Sequence, residues 1–274
     1  MFNSGPTHIP TRQNNNTKKS FFRFQEKLTK REEEKMSAIK AAIGDAVLTS
    51  MWVFTMPLNG VSSGIIATSL GVQSLPLAGR FISTILTTGM VLAFILIGNT
   101  FGGASYNPST TVSLYAAGLK PDTSLISMAV RFPAQAAGGV GGAKAILHVM
   151  PMQYLYRLKG PSLKVDLHTG GMVEGVLTFV RNLALLVIML RGPKNLVLQV
   201  WLVGLATMGL VLAGSGYTGP SMNPASAFGW AYVHNWHNTW ELYYVYWVCP
   251  LTGAALAAWV FRFLYSAPIK QKKG

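Results

Sequence analysis

The chain has 274 residues, half of them apolar and only 12% charged, with a mean hydropathy of +0.33. That balance excludes an ordinary soluble domain, and six apolar stretches each approach the ~20 residues needed to span a bilayer. The net charge of +14 does not indicate nucleic acid, because the Lys and Arg residues lie at the two ends and in short connections rather than on one soluble face; they read as cytosolic-side membrane anchors.

Residues 1–37 are polar, with Asn14, Asn15 and Asn16 in a row and a charged run from Lys27 to Lys35. This composition predicts a disordered basic cytosolic tail that can end in a helix. The sequon at Asn15 would face the cytosol and stay unused, and Met36 is an alternative start. The membrane part is predicted over residues 38–265, and residues 266–274 form a second basic cytosolic tail.

The first span is predicted over residues 39–58 and contains Asp45, four residues before Thr49. Pro76 and Arg80 open the second, over 80–97. Next comes Gly103-Ala-Ser105-Tyr-Asn107-Pro108-Ser109. Asn is a good N-cap, and Pro fits the first helical position, where its missing N–H costs nothing. A short helix should therefore begin just after Asn107, dip into the bilayer and return. The third span covers 125–148 and carries Gln135, Gly138 and Gly142. A polar connection follows over 151–168.

The fourth span, 170–190, contains Glu174 four residues before Thr178. The turn at Arg191 leads to the fifth, 196–213. Then Gly219-Pro220-Ser221-Met-Asn223-Pro224-Ala225 repeats the earlier stretch. The sixth span, 242–265, carries Pro250, Gly253 and Ala257. One Asn-Pro is weak evidence, since it commonly marks a turn. Two copies with matched Gly, Ser, Asn and Pro, one in each half, are far harder to obtain by accident.

The halves align along their length, about 38–150 against 169–265. Asp45-Ala-Val-Leu-Thr49 matches Glu174-Gly-Val-Leu-Thr178, Asn107 matches Asn223, and the Gln135/Gly138/Gly142 spacing matches Pro250/Gly253/Ala257. Each half has an odd number of spans, so the second crosses the membrane in the opposite sense. The predicted fold is all-α: six transmembrane helices plus two re-entrant half-helices in an inverted repeat, with the working site where the halves meet. The basic turn at Arg191 and the basic ends put both termini on the cytosolic side, although Arg157, Lys159 and Lys164 sit opposite.

A carboxylate inside a membrane is costly and is usually functional or paired. Asp45 and Glu174 could form a proton relay. The reading favoured is structural: each accepts backbone N–H groups of the adjacent re-entrant loop, which needs partners at that depth. Arg181, seven residues after Glu174, could pair with it on one helix face. Arg131 and Lys144 should sit near span ends or in polar crevices. Gly138, Gly142, Gly253 and Ala257 read as close helix contacts. Trp240, Tyr243, Tyr244, Tyr246 and Trp247 read as an interfacial aromatic belt. Cys249 is the single cysteine, so no internal disulfide forms, and no Cys/His spacing suggests a metal. Neither a nucleotide loop nor a catalytic triad context appears, so no cofactor and no enzyme activity is expected.

These residues together resemble the aquaporins, or major intrinsic proteins, from about residue 38 to 265. The run from Tyr246 through Pro250 and Gly253 is similar to the family's last span. The resemblance implies a homotetramer with one pore per subunit, where Asn107 and Asn223 hold the permeating molecule's oxygen and the half-helix dipoles disfavour cations. Ser109 stands where the family usually has Ala. The filter positions fall on Ser226 in place of the usual Arg, on Pro220, on Val211 and, in the second span, near Thr87.

An Arg-free filter, a high basic charge and an altered first motif resemble the small basic intrinsic proteins of plants. The lysines at 270 and 272 are similar to an endoplasmic-reticulum retrieval signal, although a membrane anchor would also place lysines there. The implied function is passive water conduction across that membrane. A channel for another small neutral solute (glycerol, urea or peroxide) and a non-conducting structural membrane protein are the alternatives.

Overall fold

A computed structural model describes residues 12–75, 77–119 and 124–265 of the chain. Pro76 and the C-terminal lysines lie outside these residues. The first helix, α1 (Arg12–Ser69), is 58 residues long. It starts inside the segment that polar composition assigns to a disordered tail. The sequence there is dense in Gln, Lys, Glu and Arg, all good helix formers. Its apolar part, Met36–Ser69, outruns the predicted first span. Pro57, Asn59 and Gly60 break the apolar run in the sequence, yet the helix continues through them. Asn59 meets the neighbouring helix, donating to Thr87 Oγ1 at 2.7 Å and accepting from Ser83 Oγ at 2.8 Å.

Helix α2 (Ala78–Thr100) returns, the half-helix α3 (Pro108–Ala116) follows, and α4 (Leu125–Val149) completes the first half. The connection contains a single 3₁₀ turn at Met152–Arg157. The second half repeats the order: α5 (Leu167–Arg191), α6 (Leu196–Gly214), the half-helix α7 (Pro224–Val233), then α8 (Trp240–Tyr243) leading into α9 (Cys249–Tyr265). Asp166 caps α5, and its hydrogen bonds with Thr169 and His168 hold its carboxyl below the usual carboxylate range. Between α8 and α9 the helix widens to a π turn at Tyr244–Val248. Pro250 explains it: proline has no N–H to give and crowds the carbonyl four residues back, so the ladder relaxes to a longer step.

Among the described residues five segments are long and apolar enough to cross a bilayer: Met36–Ser69, Ala78–Thr100, Leu167–Arg191, Leu196–Gly214 and Trp240–Tyr265. The sixth crossing helix, α4, has 25 residues, or ~37 Å at 1.5 Å per residue. It fails on composition alone. Its Arg131 and Gln135 are turned inward and buried, which is the arrangement lipid demands.

The inverted repeat is visible in the packing. Helix α1 lies against α4 and α5 against α9, while α2 meets α6 between the halves. A side chain at Gly138 would strike the carbonyl oxygen of Ala46, next to Asp45. One at Gly253 would strike that of Gly175, next to Glu174. Equivalent glycines thus press on equivalent backbone in the two halves, as the sequence alignment requires.

Candidate functional site

The two half-helices meet end to end. Asn107 caps α3, accepting from Ser109 N at 2.9 Å, and Asn223 caps α7, accepting from Ser226 N at 3.3 Å. Each amide then reaches across the junction. Asn107 Nδ2 donates to Met222 O and Asn223 Nδ2 to Tyr106 O, both at 3.0 Å. An amide nitrogen carries two N–H groups. The cross-bond uses one, and both asparagines line a central cavity of about 1200 Å³. The positive ends of two helix dipoles converge at the same place.

That cavity extends through the molecule. Its lining runs from Gln73 and Arg80, at the α1–α2 turn, to Leu196 and Gln199, at the α5–α6 turn. Thr87, Val211, Pro220 and Ser226 all line it, as do Asn107 and Asn223. Ser109 and Ala225 instead point into the packed protein and are fully buried, and Pro108 and Pro224 are buried at the first turn of each half-helix. The Thr87 hydroxyl is already engaged by Asn59. Cys249 does not line the cavity.

The two carboxylates hold the loops that lead into the half-helices. Asp45 Oδ1 accepts from Ser105 N at 2.6 Å. Glu174 accepts from Ser221 N at 2.9 Å, Met222 N at 3.0 Å and the Thr218 hydroxyl at 3.0 Å. Met222 sits at φ 48°, a left-handed conformation that is uncommon for a residue with a side chain. Its N–H on Glu174 and its C=O on Asn107 fix it there.

Two sequence expectations change, and one alternative is decided. Of a span end and a polar crevice, Arg131 occupies the crevice. It is 3% exposed and forks onto Asp45, with Nε to Oδ2 at 2.7 Å and Nη2 to Oδ1 at 2.8 Å. Gln135 adds a bond to Oδ2 at 2.9 Å. Tyr246 is not part of an interfacial belt: it is fully buried, and its hydroxyl donates to Thr218 O at 2.9 Å. Trp240 and Tyr243 are exposed. Arg181 does not pair with Glu174, whose oxygens are taken by the loop; Arg181 Nη1 donates to Thr110 Oγ1 at 3.1 Å.

The polar connection before α5 closes over the second loop. Ser162 N donates to Thr218 O at 3.0 Å and Lys164 N to Tyr217 O at 2.8 Å. Gly160, at φ +69°, passes so close to Trp230 that any side chain there would collide. This clasp carries no motif in the sequence.

A through-going cavity lined by two Asn-capped half-helices, inside an inverted repeat of membrane helices, defines a channel of the major intrinsic protein class. The model of that family, "Major intrinsic protein", matches residues 32–261, and the chain belongs to it. It is 50% identical over 240 residues to "Aquaporin SIP1-1" of Zea mays, covering 86% of this chain and 97% of that protein. It is 44% identical to "Aquaporin SIP1-1" of Arabidopsis thaliana, with 87% and 98% covered. "Probable aquaporin SIP2-1" of Arabidopsis thaliana is 31% identical over 232 residues, with 84% and 94% covered. The fold is also that of the solved aquaglyceroporin from Plasmodium falciparum, at a TM-score of 0.61 and 17% identity, over 82% of this chain and 95% of that one. The protein is thus a multi-pass membrane channel for small neutral solutes, and not an enzyme.

Proposed function

We propose that the chain is a passive water channel of an intracellular membrane, the endoplasmic reticulum, with both termini cytosolic and four copies assembling with one pore each. The observation that carries the water reading is the crossed pair of Asn107 and Asn223 at the waist of the cavity. Each is locked by its neighbour's backbone and keeps a second N–H for a permeating oxygen. Fixed donors beside converging helix N-termini suit a neutral molecule with an oxygen lone pair and oppose a cation. Thr87, Val211, Pro220 and Ser226 serve as the filter, and Asp45 and Glu174 hold the loops. The names of the relatives, all aquaporins, support this reading.

The test is stopped-flow water permeability of the purified protein in liposomes. Asn223→Asp replaces the donor amide with a carboxylate, so Tyr106 O loses its partner and a negative charge enters the waist. Water flux should fall by about tenfold or more; unchanged flux at normal yield would sink the pore model. Mercury should not block the channel, since Cys249 lies off the cavity.

A second reading, passage of a larger neutral solute, is favoured by one observation: Ser226 and Pro220 put no guanidinium at the filter. Swelling with glycerol, urea and peroxide separates the two. A folded protein that passes none of these solutes would instead fit a structural role.

A further inference from the structure

Among the described residues three guanidinium groups line the cavity, those of Arg80, Arg157 and Arg181; Arg80 and Arg157 are exposed, and Arg181 is partly buried. It lies on α5 among the cavity-lining residues, facing the stretch between Asn107 and the α5–α6 turn. Its Nη1 donates to a neutral partner, Thr110 Oγ1, at 3.1 Å. Thr110 is three residues past Asn107, as Ser226 is three past Asn223. The aligned position in the first half, seven residues after Asp45, is Trp52, which stacks on Tyr106 at 4.5 Å. So the positions flanking the Asn pair differ, an indole on one side and a guanidinium on the other, while Arg80 and Arg157 line the cavity farther out on the α1–α2 side.

No carboxylate among the described residues pairs with Arg181. The nearest along its helix is Glu174, about 10 Å away at 1.5 Å per residue, and that group is committed to Thr218, Ser221 and Met222. By contrast, the buried Arg131 is fully matched to Asp45. An uncompensated cation in a membrane interior is expensive, and its cost is tolerated where the charge acts on a pathway. A guanidinium carries five N–H donors and stays protonated. Thr110 takes one, and the group borders open cavity.

We infer that Arg181 is the channel's cation barrier. It stands across the Asn pair from Ser226, on the side of the α5–α6 turn, and excludes protons and metal cations by its charge. It also offers N–H donors to a permeating oxygen just before or after the waist. The inference rests on the channel reading above. It offsets a filter without arginine: Ser226 puts no charge beside the half-helix junction, and Arg181 puts one on the junction's opposite side, less exposed than Arg80 and Arg157.

The test uses full-length protein in liposomes, wild type beside Arg181→Leu, Arg181→Gln and Arg181→Lys. Proton leak is read with an internal pH dye under a valinomycin-set potassium potential, and sodium leak with a sodium-sensitive dye. Osmotic water flux is read in the same vesicles to normalise leak to conducting protein. The Leu and Gln variants should leak protons or sodium at least about tenfold faster per unit water flux than wild type, and the Lys variant should stay tight. Arg181→Gln keeps a polar reach to Thr110, so it serves if the Leu variant does not fold. Neutral variants as tight as wild type would overturn the inference, and so would a Lys variant as leaky as Leu, because charge would then not be the cause. A wild type that passes no water would remove the water-channel reading, and is told apart by that flux alone.

Discussion

The two halves solve one problem with different charges. In each, a carboxylate on the first helix holds the loop entering the half-helix. In the first half Asp45 is answered by the Arg131 fork and by Gln135. In the second, Glu174 is answered by two backbone N–H groups and a hydroxyl. The repeat-equivalent of Arg131, four residues before Pro250 as Arg131 is four before Gln135, is Tyr246. Both reach the loop's carbonyls: Arg131 Nη2 to Gly103 O at 3.2 Å, Tyr246 Oη to Thr218 O at 2.9 Å. The position is thus kept as a donor to the loop, while the charge is kept in only one half. Geometry is the repeated feature, and neutralisation is local.

The sharpest way to break this comparison is Asp45→Asn. It leaves Arg131 buried beside a neutral amide, and orphaning one member of a buried pair costs about 3–5 kcal/mol. Heat resistance in detergent, followed by size-exclusion chromatography, should collapse. Adding Arg131→Gln should recover part of it, because the orphan charge is gone. Failure to recover would mean that Asp45 acts chiefly through Ser105.

Next come Gly138→Ala and Gly253→Ala. Each added methyl meets a backbone carbonyl, of Ala46 and of Gly175, and such overpacking typically costs about 1–3 kcal/mol. Similar losses in the two variants are expected from the shared geometry; a loss in one half only would break the equivalence.

Glu174→Gln should be milder than Asp45→Asn. No cation is orphaned, but the new NH₂ faces the Met222 N–H, at a cost of roughly 1–3 kcal/mol. Differential scanning fluorimetry of the two variants side by side ranks them, and equal losses would contradict the charge argument. The smallest effect is expected from Tyr246→Phe, about 1 kcal/mol, because Thr218 O keeps its bond from Ser162 N.

Much of this was readable in the sequence because the repeat supplies two independent copies of each signal. The spans, the half-helices capped at Asn107 and Asn223, and the Gly138 and Gly253 contacts all follow from spacing. What escaped needed partners that spacing within one segment does not name. Arg131 and Tyr246 looked unrelated because one is charged and one aromatic, and an aromatic near a span end suggests an interface. Extending the alignment one turn upstream of Gln135 and Pro250 sets them opposite each other. Arg181 and Glu174 share a helix face, but Glu174 is used up by a loop 44 to 48 residues further along, which no i, i+7 rule reveals. The length of α1 was hidden by Pro57, whose disruption the surrounding helices tolerate. Met222 gave no signal, since left-handed backbone at a Met runs against residue preference.

The crossed amide bonds also bear on how the chain is made. Asn107 finds its partner, the carbonyl of Met222, 115 residues later. Synthesis delivers the first half well before the second. Until α7 arrives, the Asn107 amide and the Tyr106 carbonyl have no place to bond but water or lipid headgroups. Asp45, Arg131 and Gln135 hold the first loop from within its own half, but the two cross-bonds that join the half-helices close only when the second half is in place.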